Sequence, residues 1–456
     1  MTNVLDLTDQ TLFLGERATS TTNVLQCIWV YDRGVDIDGL RDFHHHLQRG
    51  RLRRRIECSP LPFGRHRWVT PSDQSDLEVV ATPRPRSDID DWCSEQASKR
   101  PDAEHGAGFH LAVLPFTDGG AAVSLVVPHC LTDGVGLCEA LADAAAGRDN
   151  AIRWPAAASR PRRRALGQDA RQTARDIPKI GRAFVGAARL ARRGRDNGVA
   201  VTPPKRRPAP PREPEEPATL PVTTIFVDAD EWDARAHALR GTSNALLAGL
   251  AAHLARRAGR VAANGSVTVG MLVNERTPGD TRANAISSVD IQVDPRPVTK
   301  DLHELRSDIK HALIRHQDVP DERWVLLPLI PLVPKRLFKR MLSVATGSAT
   351  TVASSNLGVI NPDANRPDGT DADHFAMKSL YVGVTNATMR RTNGALGLVS
   401  GRVHGRVFIS VLSYELDRPN SNDELRQRIS SALRDFSLTA TTGWHNSSDS
   451  PAALAG

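Results

Sequence analysis

His129, Asp133 and Gly134 stand together in the stretch Val126-Val127-Pro128-His129-Cys130-Leu131-Thr132-Asp133-Gly134. A neutral imidazole titrates near physiological pH, so it can take a proton from a hydroxyl or an amine as that group attacks a carbonyl. A glycine in the same loop permits close approach of backbone. Each residue also has a structural reading: Asp133 can simply cap the helix behind it, and a single histidine at a strand end can be part of the scaffold. The neighbouring elements give the pattern its direction. Ala121–Val127 is a short, β-branched apolar run entered from Asp118-Gly119-Gly120, which reads as a buried strand after a turn. Val135–Ala146 then brings Leu137, Ala140, Leu141 and Ala144 at helical spacing. His129 therefore sits at the mouth of a strand–loop–helix unit, where a side chain can face a cleft.

At 456 residues the chain is too long for one ordinary core, so two domains are expected. Hydrophobic content of 40% and charged content of 24% describe a globular protein. No run is apolar enough to span a bilayer, and the N-terminus lacks a secretory pattern. Cys27, Cys58, Cys93, Cys130 and Cys138 show neither metal-ligand spacing nor a compelling disulfide pair, so no metal is expected and a reduced, cytoplasmic location fits best. The net charge of +7, carried mostly by arginine, favours an anionic partner: phosphates, an acidic protein or a membrane surface.

Taken in order, Val24–Tyr31 reads as a strand and Ile37–Leu47 as a helix. Within that helix His44-His45-His46 point three ways, cannot converge on one ion, and read as solvated surface. Arg51–Arg55 is a charge run, a solvated face or a phosphate contact. Phe109–Leu114 and Ala121–Val127 form a hairpin that delivers the His129 loop. Ala165–Arg193 carries Ile177, Ile180, Phe184, Val185 and Leu190 among arginines. Pro178 predicts two short helices there, suited to an acidic membrane surface or to packing on the partner domain. Val201–Pro221 is a Pro-rich, charged linker. Strands are expected at Val222–Val227, Val267–Val273, Thr351–Ser355, Gly397–Val403 and Arg406–Tyr414. Helices are expected at Ser243–Ala258, Leu302–Arg315 and Asn422–Phe436, with Leu326–Pro334 an apolar loop. Mixed elements without regular βαβ alternation predict an α+β protein. Residues 1–153 form an N-terminal subdomain, 154–221 a basic helical segment with linker, and 222–456 a C-terminal subdomain. No Gly-x-Ser-x-Gly elbow, phosphate-binding loop, dinucleotide turn or zinc signature occurs. Scattered basic residues and few aromatics argue against a nucleic-acid partner.

The pattern His129-x-x-x-Asp133-Gly134 resembles the His-His-x-x-x-Asp-Gly motif of coenzyme A-dependent acyltransferases and peptide-synthetase condensation domains, with Pro128 in place of the first histidine. Other segments resemble the bacterial wax ester synthase/diacylglycerol acyltransferase-like branch. These are Leu5–Gly15, Gly241–Leu247 with Ala245 at an expected Asp, Leu272–Arg276 followed by Asn284, and Ser354–Gly358 as a turn. The likeness spans nearly the whole chain in the expected order. It implies two chloramphenicol-acetyltransferase-like domains with a tunnel between them, and His129 as the base. It also implies Asp133 paired with Arg276 in support of the loop, and a coenzyme A or phosphopantetheine thioester as co-substrate with no bound cofactor. Gly134, Ser355 and Asn356 are the candidate substrate-binding residues, the last two as oxyanion donors from the second domain. The implied partners are acyl-CoA or an acyl carrier protein and a small-molecule acceptor, with or without peripheral membrane contact. The implied activity is O- or N-acyl transfer. Alternatives are a stand-alone condensation-type amide synthase in natural-product assembly, or a non-catalytic homologue that binds acyl or carrier groups.

Overall fold

Ala121–Pro128 (β6) is buried along its whole length in the middle of a sheet. That is why it reads as a continuous apolar run rather than an alternation. The computed structural model describes residues 3–148, 150, 152–196, 216–318, 325–334, 338 and 350–444. The other strands of this five-stranded sheet are β1 (Thr22–Tyr31), β4 (Leu77–Val79), β5 (His110–Pro115) and β11 (His374–Val382), in the order β11-β1-β6-β5-β4. A second, seven-stranded sheet contains β7 (Val222–Asp228), β8 (Val267–Asn274), β9 (Ile286–Val293) and β10 (Thr351–Val359), with β12 (Ala395–Val403), β13 (Arg406–Tyr414) and β14 (Thr441–Thr442). Its order is β14-β7-β13-β12-β10-β8-β9. The pair β2 (Arg55–Glu57) and β3 (Arg67–Val69) stands apart.

The helices around the first sheet are α1 (Leu7–Thr19), α2 (Ile37–Arg49), α3 (Ile89–Ser98), α4 (Gly134–Ala145) and α5 (Arg162–Asp196). Those of the second half are α6 (Ala229–Ala238), α7 (Ser243–Arg257), α8 (His303–Asp318), α9 (Asn386–Thr392) and α10 (Asn422–Asp435). Most start on a side-chain cap: Asp6, Asp36, Asp133, Asp228, Thr242, Thr385 and Ser421 each accept a hydrogen bond from the first turn. One core gathers Trp29, Phe43, Trp92, Leu125 and Leu141 on the first sheet, and another gathers Trp232, Leu250, Ile291, Ile409 and Phe436 on the second.

The chain does not keep the halves apart. Strand β11 lies beyond residue 222, yet it pairs antiparallel with β1 from Thr22↔Val382 to Val30↔His374. Sequence reading missed it because Lys378 interrupts the apolar run. That lysine is buried, paired with Asp90 at 3.3 Å and set over the Trp444 ring. Four other expectations need correcting. Ala165–Arg193 belongs to the single helix α5, which runs through Pro178. Its Asp169 and Asp176 are buried and hold Arg67, Arg160 and Arg65, which secures the turns of the helix that lead up to the proline. His44 is not surface: it is buried, 2.8 Å from Ser75 Oγ and edge-on to Phe109. Arg54 of the charge run is inside too. The apolar loop at Leu326–Pro334 contains a 3-10 helix, Leu327–Leu332. Most of the Pro-rich linker lies outside the described residues. Its end is tied down by Pro217, bridged to Thr385, and by Ala218, whose N–H donates to Val384 O.

Candidate active site

Pro128 ends β6. Pairing with β5 stops at Val126, so no partner on that side needs the missing N–H. A 3-10 turn, His129–Leu131, leads into the α4 cap. Asp133 is the hub there. Its Oδ1 accepts from Gly136 N (2.6 Å), and its Oδ2 accepts from Arg276 Nη2 (2.7 Å) and Ala285 N (2.7 Å). Its own N–H donates to Ala283 O at 3.0 Å. Arg276 also donates from Nη2 to Ala283 O (3.0 Å) and from Nη1 to Arg282 O (3.2 Å). The Asp133 and Arg276 side chains are 1% and 4% exposed, so this is a dry ion pair with nearly every oxygen occupied. The segment between β8 and β9 thereby clamps the His129 loop from across the molecule.

Two glycines make the clamp possible. A Cβ on Gly136 would lie 2.7 Å from Arg276 Nη2, and one on Gly134 would lie 2.7 Å from Leu357 Cδ2 of β10. Gly134 is thus roofed by Leu357, which brings the end of β10 against the start of α4.

His129 is held through its backbone. Its carbonyl accepts from Asn284 Nδ2 at 3.1 Å. Asn284 is anchored in turn on Asp9 of α1, whose Oδ1 accepts from Asn284 N (2.8 Å) and Asn284 Nδ2 (3.1 Å), while Oδ2 accepts from Ala283 N (3.2 Å). Burial holds the His129 imidazole below its ordinary pKa, against the opposing pull of its own carbonyl, Asp133 and Asn284. It is accordingly neutral at neutral pH, the form a base requires. Burial pushes Asp9 up to about 7, with Arg54 opposing. Arg54 itself is lowered to about 10 by burial, lies over the Trp68 ring at 5.1 Å and donates to Thr281 O at 3.2 Å. Beside His129, the Cys130 thiol faces Glu16 Oε2 at 3.6 Å, and burial raises Glu16 to about 8.

The candidates from the second half are arranged differently from one another. Ser354–Gly358, expected as a turn, is the end of β10, with the pairing register shifting between Asn356 and Val359. Asn356 is committed locally: Oδ1 accepts from Gly358 N at 2.9 Å and Nδ2 donates to Asn244. Ser355 is half-buried on the same strand, two residues before Leu357. Ala245 is fully buried in the first turn of α7. Asp9 and Arg54 were not singled out from the sequence as site residues. Asp9 lies in the opening segment that carries the resemblance, but its partner is 275 residues away, and no local spacing reports such a contact.

Neither a family model nor a curated protein matches the chain by sequence. Solved structures match over nearly its whole length. The first condensation domain of the CDA synthetase is 15% identical with a TM-score of 0.57, covering 97% of this chain and 99% of that one. A wax ester synthase/diacylglycerol acyltransferase from Marinobacter aquaeolei VT8 is 14% identical with a TM-score of 0.55, covering 95% and 98%. Polyketide synthase associated protein 5 from Mycobacterium tuberculosis is 16% identical with a TM-score of 0.53, covering 94% and 97%. The chain has the chloramphenicol-acetyltransferase-like, two-domain fold that these proteins share.

Proposed function

We propose that this protein transfers an acyl group from a coenzyme A or carrier-protein thioester to a hydroxyl or amine, with His129 as general base. The observation that supports this reading best is the Asp133–Arg276 clamp. A buried ion pair is costly to assemble, and this one fixes the loop that carries a neutral histidine in a fold shared with condensation domains and a wax ester synthase. The chemistry asks for little else. As the acceptor attacks the thioester carbonyl, an imidazole nitrogen takes its proton, a contribution of typically ~10²–10⁴ in rate. The tetrahedral oxyanion needs donors already in place. Ser355 is better suited to that role than Asn356, whose amide is already engaged. Collapse of the intermediate expels the thiol, and the proton on His129 goes to the leaving sulfur. No covalent enzyme intermediate is required. A positive balance of +7 suits a phosphate-bearing donor.

Pro128 and Ala245 favour a second reading, a homologue that binds acyl thioesters without turnover. Incubating the protein with mixed acyl-CoA and acyl-carrier thioesters and a panel of alcohols and amines separates the two. Acceptor-dependent release of free thiol, with an ester or amide found by mass, supports transfer. Thioester binding without release under every pairing supports the binder.

A further inference from the structure

Of the three tyrosines in the chain, two give their hydroxyls to the protein. Tyr31 donates to Asp368 Oδ1 at 3.1 Å and Tyr414 to Asn386 Oδ1 at 3.1 Å. The Tyr381 hydroxyl, on β11, has no hydrogen-bond partner among the described residues, and the residue is 48% exposed. It does not stand on an outer face, because the protein around it raises its phenol above the ordinary tyrosine value. A side chain that is both accessible and desolvated lines a recess.

Strand pairing locates that recess. Side chains alternate along β11, so Phe375, Met377, Ser379 and Tyr381 share one face. Phe375 lies on Trp29 with ring centroids 5.4 Å apart, and Met377 Sδ is 3.3 Å from where a Cβ on Gly134 would be. This face of β11 is therefore the one that carries the start of α4. Tyr381 pairs with Asn23 of β1, and β1 pairs with β6 as far as Val24↔Pro128. One further step of that register sets His129 opposite Asn23. Tyr381 and His129 thus occupy the ends of one row across three strands, about 10 Å apart at the usual strand spacing. Between them the Asn23 amide oxygen is already taken, accepting from Ser379 Oγ at 3.2 Å. Tyr381 is left with the unclaimed hydroxyl.

We propose that Tyr381 is a specificity-determining residue, its hydroxyl binding a hydroxyl or an amide on an extended substrate chain whose reacting atom lies at His129. The reacting end rests on the acyl-transfer reading, whereas binding at Tyr381 is measured without turnover. Two sources present this chemistry: an acceptor with a second hydroxyl, and the amides of a pantetheine thiol. A purely apolar chain would cover the phenol and leave it unpaired, which selects against such a chain.

The full chain with carbon-13 at the tyrosine ζ carbon gives one signal for each of its three tyrosines, that of Tyr381 being the one lost in Tyr381→Phe. The other two signals, unmoved, show that the variant is folded. The probes are straight-chain diols, the matching mono-alcohols, and pantetheine. The expected result is that the diols or pantetheine shift the Tyr381 signal and leave those of Tyr31 and Tyr414 in place. A response to the diols assigns the contact to the acceptor, and a response to pantetheine assigns it to the donor. By calorimetry, Tyr381→Phe should bind the responding probe several-fold more weakly, with no such loss for the mono-alcohols. A Tyr381 signal that neither diols nor pantetheine move overturns the proposal, and so does a folded Tyr381→Phe that binds the responding probe as the parent does. Where transfer is observed, the variant should raise KM for that substrate more than it lowers kcat. Absence of acyl transfer alongside the expected shifts would reject the enzymatic reading and leave this one standing.

Discussion

At the scale of single residues, buried charge holds the His129 loop in place. Removing one partner of a dry ion pair strands the other, typically at ~3–5 kcal/mol, whereas losing a helix cap costs about 1 kcal/mol. Asp133 does both jobs, so Asp133→Ala and Arg276→Ala should each destabilise strongly, and the double variant should cost much less than their sum. A denaturant double-mutant cycle measures this, and simple additivity would reject the coupling. Glu16 gives the pH counterpart. Its folded pKa, raised to about 8, lies above the value of an unfolded glutamate. The folded state therefore holds a proton that the unfolded chain has released, and stability from this group is present at low pH and lost as pH rises toward 8. Glu16→Gln should gain stability over the parent across that window, by at most about 1.4 kcal/mol per pH unit. Parallel stability–pH curves for the two proteins would show that Glu16 titrates normally. Of these residues the sequence made His129, Asp133 and Arg276 legible. It hid Asp9, because an aspartate three residues after the α1 cap looks like any first-turn acid.

At the scale of elements, the strand–loop–helix unit at 121–146 was readable because its signals are local: an apolar run, a cap, and a helical stripe. The positions of β11, α5 and His44 were not, since each depends on a distant partner that makes a polar residue or a proline acceptable in place. The start of α4 offers a test in which local and tertiary rules disagree. Alanine is preferred to glycine inside a helix by about 1 kcal/mol, so propensity alone predicts that Gly136→Ala stabilises. The Arg276 guanidinium lies where the new methyl group would be. Gly136→Ala should therefore lower the unfolding midpoint, and Gly136→Ala in an Arg276→Ala background should lose most of that penalty. A stabilised single variant would contradict the clamp.

At the scale of the whole molecule, β11 crosses into the first sheet and the β8–β9 segment reaches back to α1 and the His129 loop. Two halves tied in this way should unfold together. Tryptophan fluorescence and far-ultraviolet circular dichroism should give coincident denaturant transitions, and two separated transitions would show independent halves. The α+β architecture was legible from the mixture of elements, while the strand exchange was not, because pattern reading assigns a strand to the half in which it occurs. We propose that this framework presents His129 to a thioester and its acceptor. Its most direct test is acceptor-dependent thiol release by the parent and by His129→Ala at saturating donor and acceptor, with the unfolding midpoint recorded alongside. The expected result is a kcat at least ~10²-fold lower in a protein that remains folded. A folded His129→Ala variant turning over within a few-fold of the parent would contradict the account.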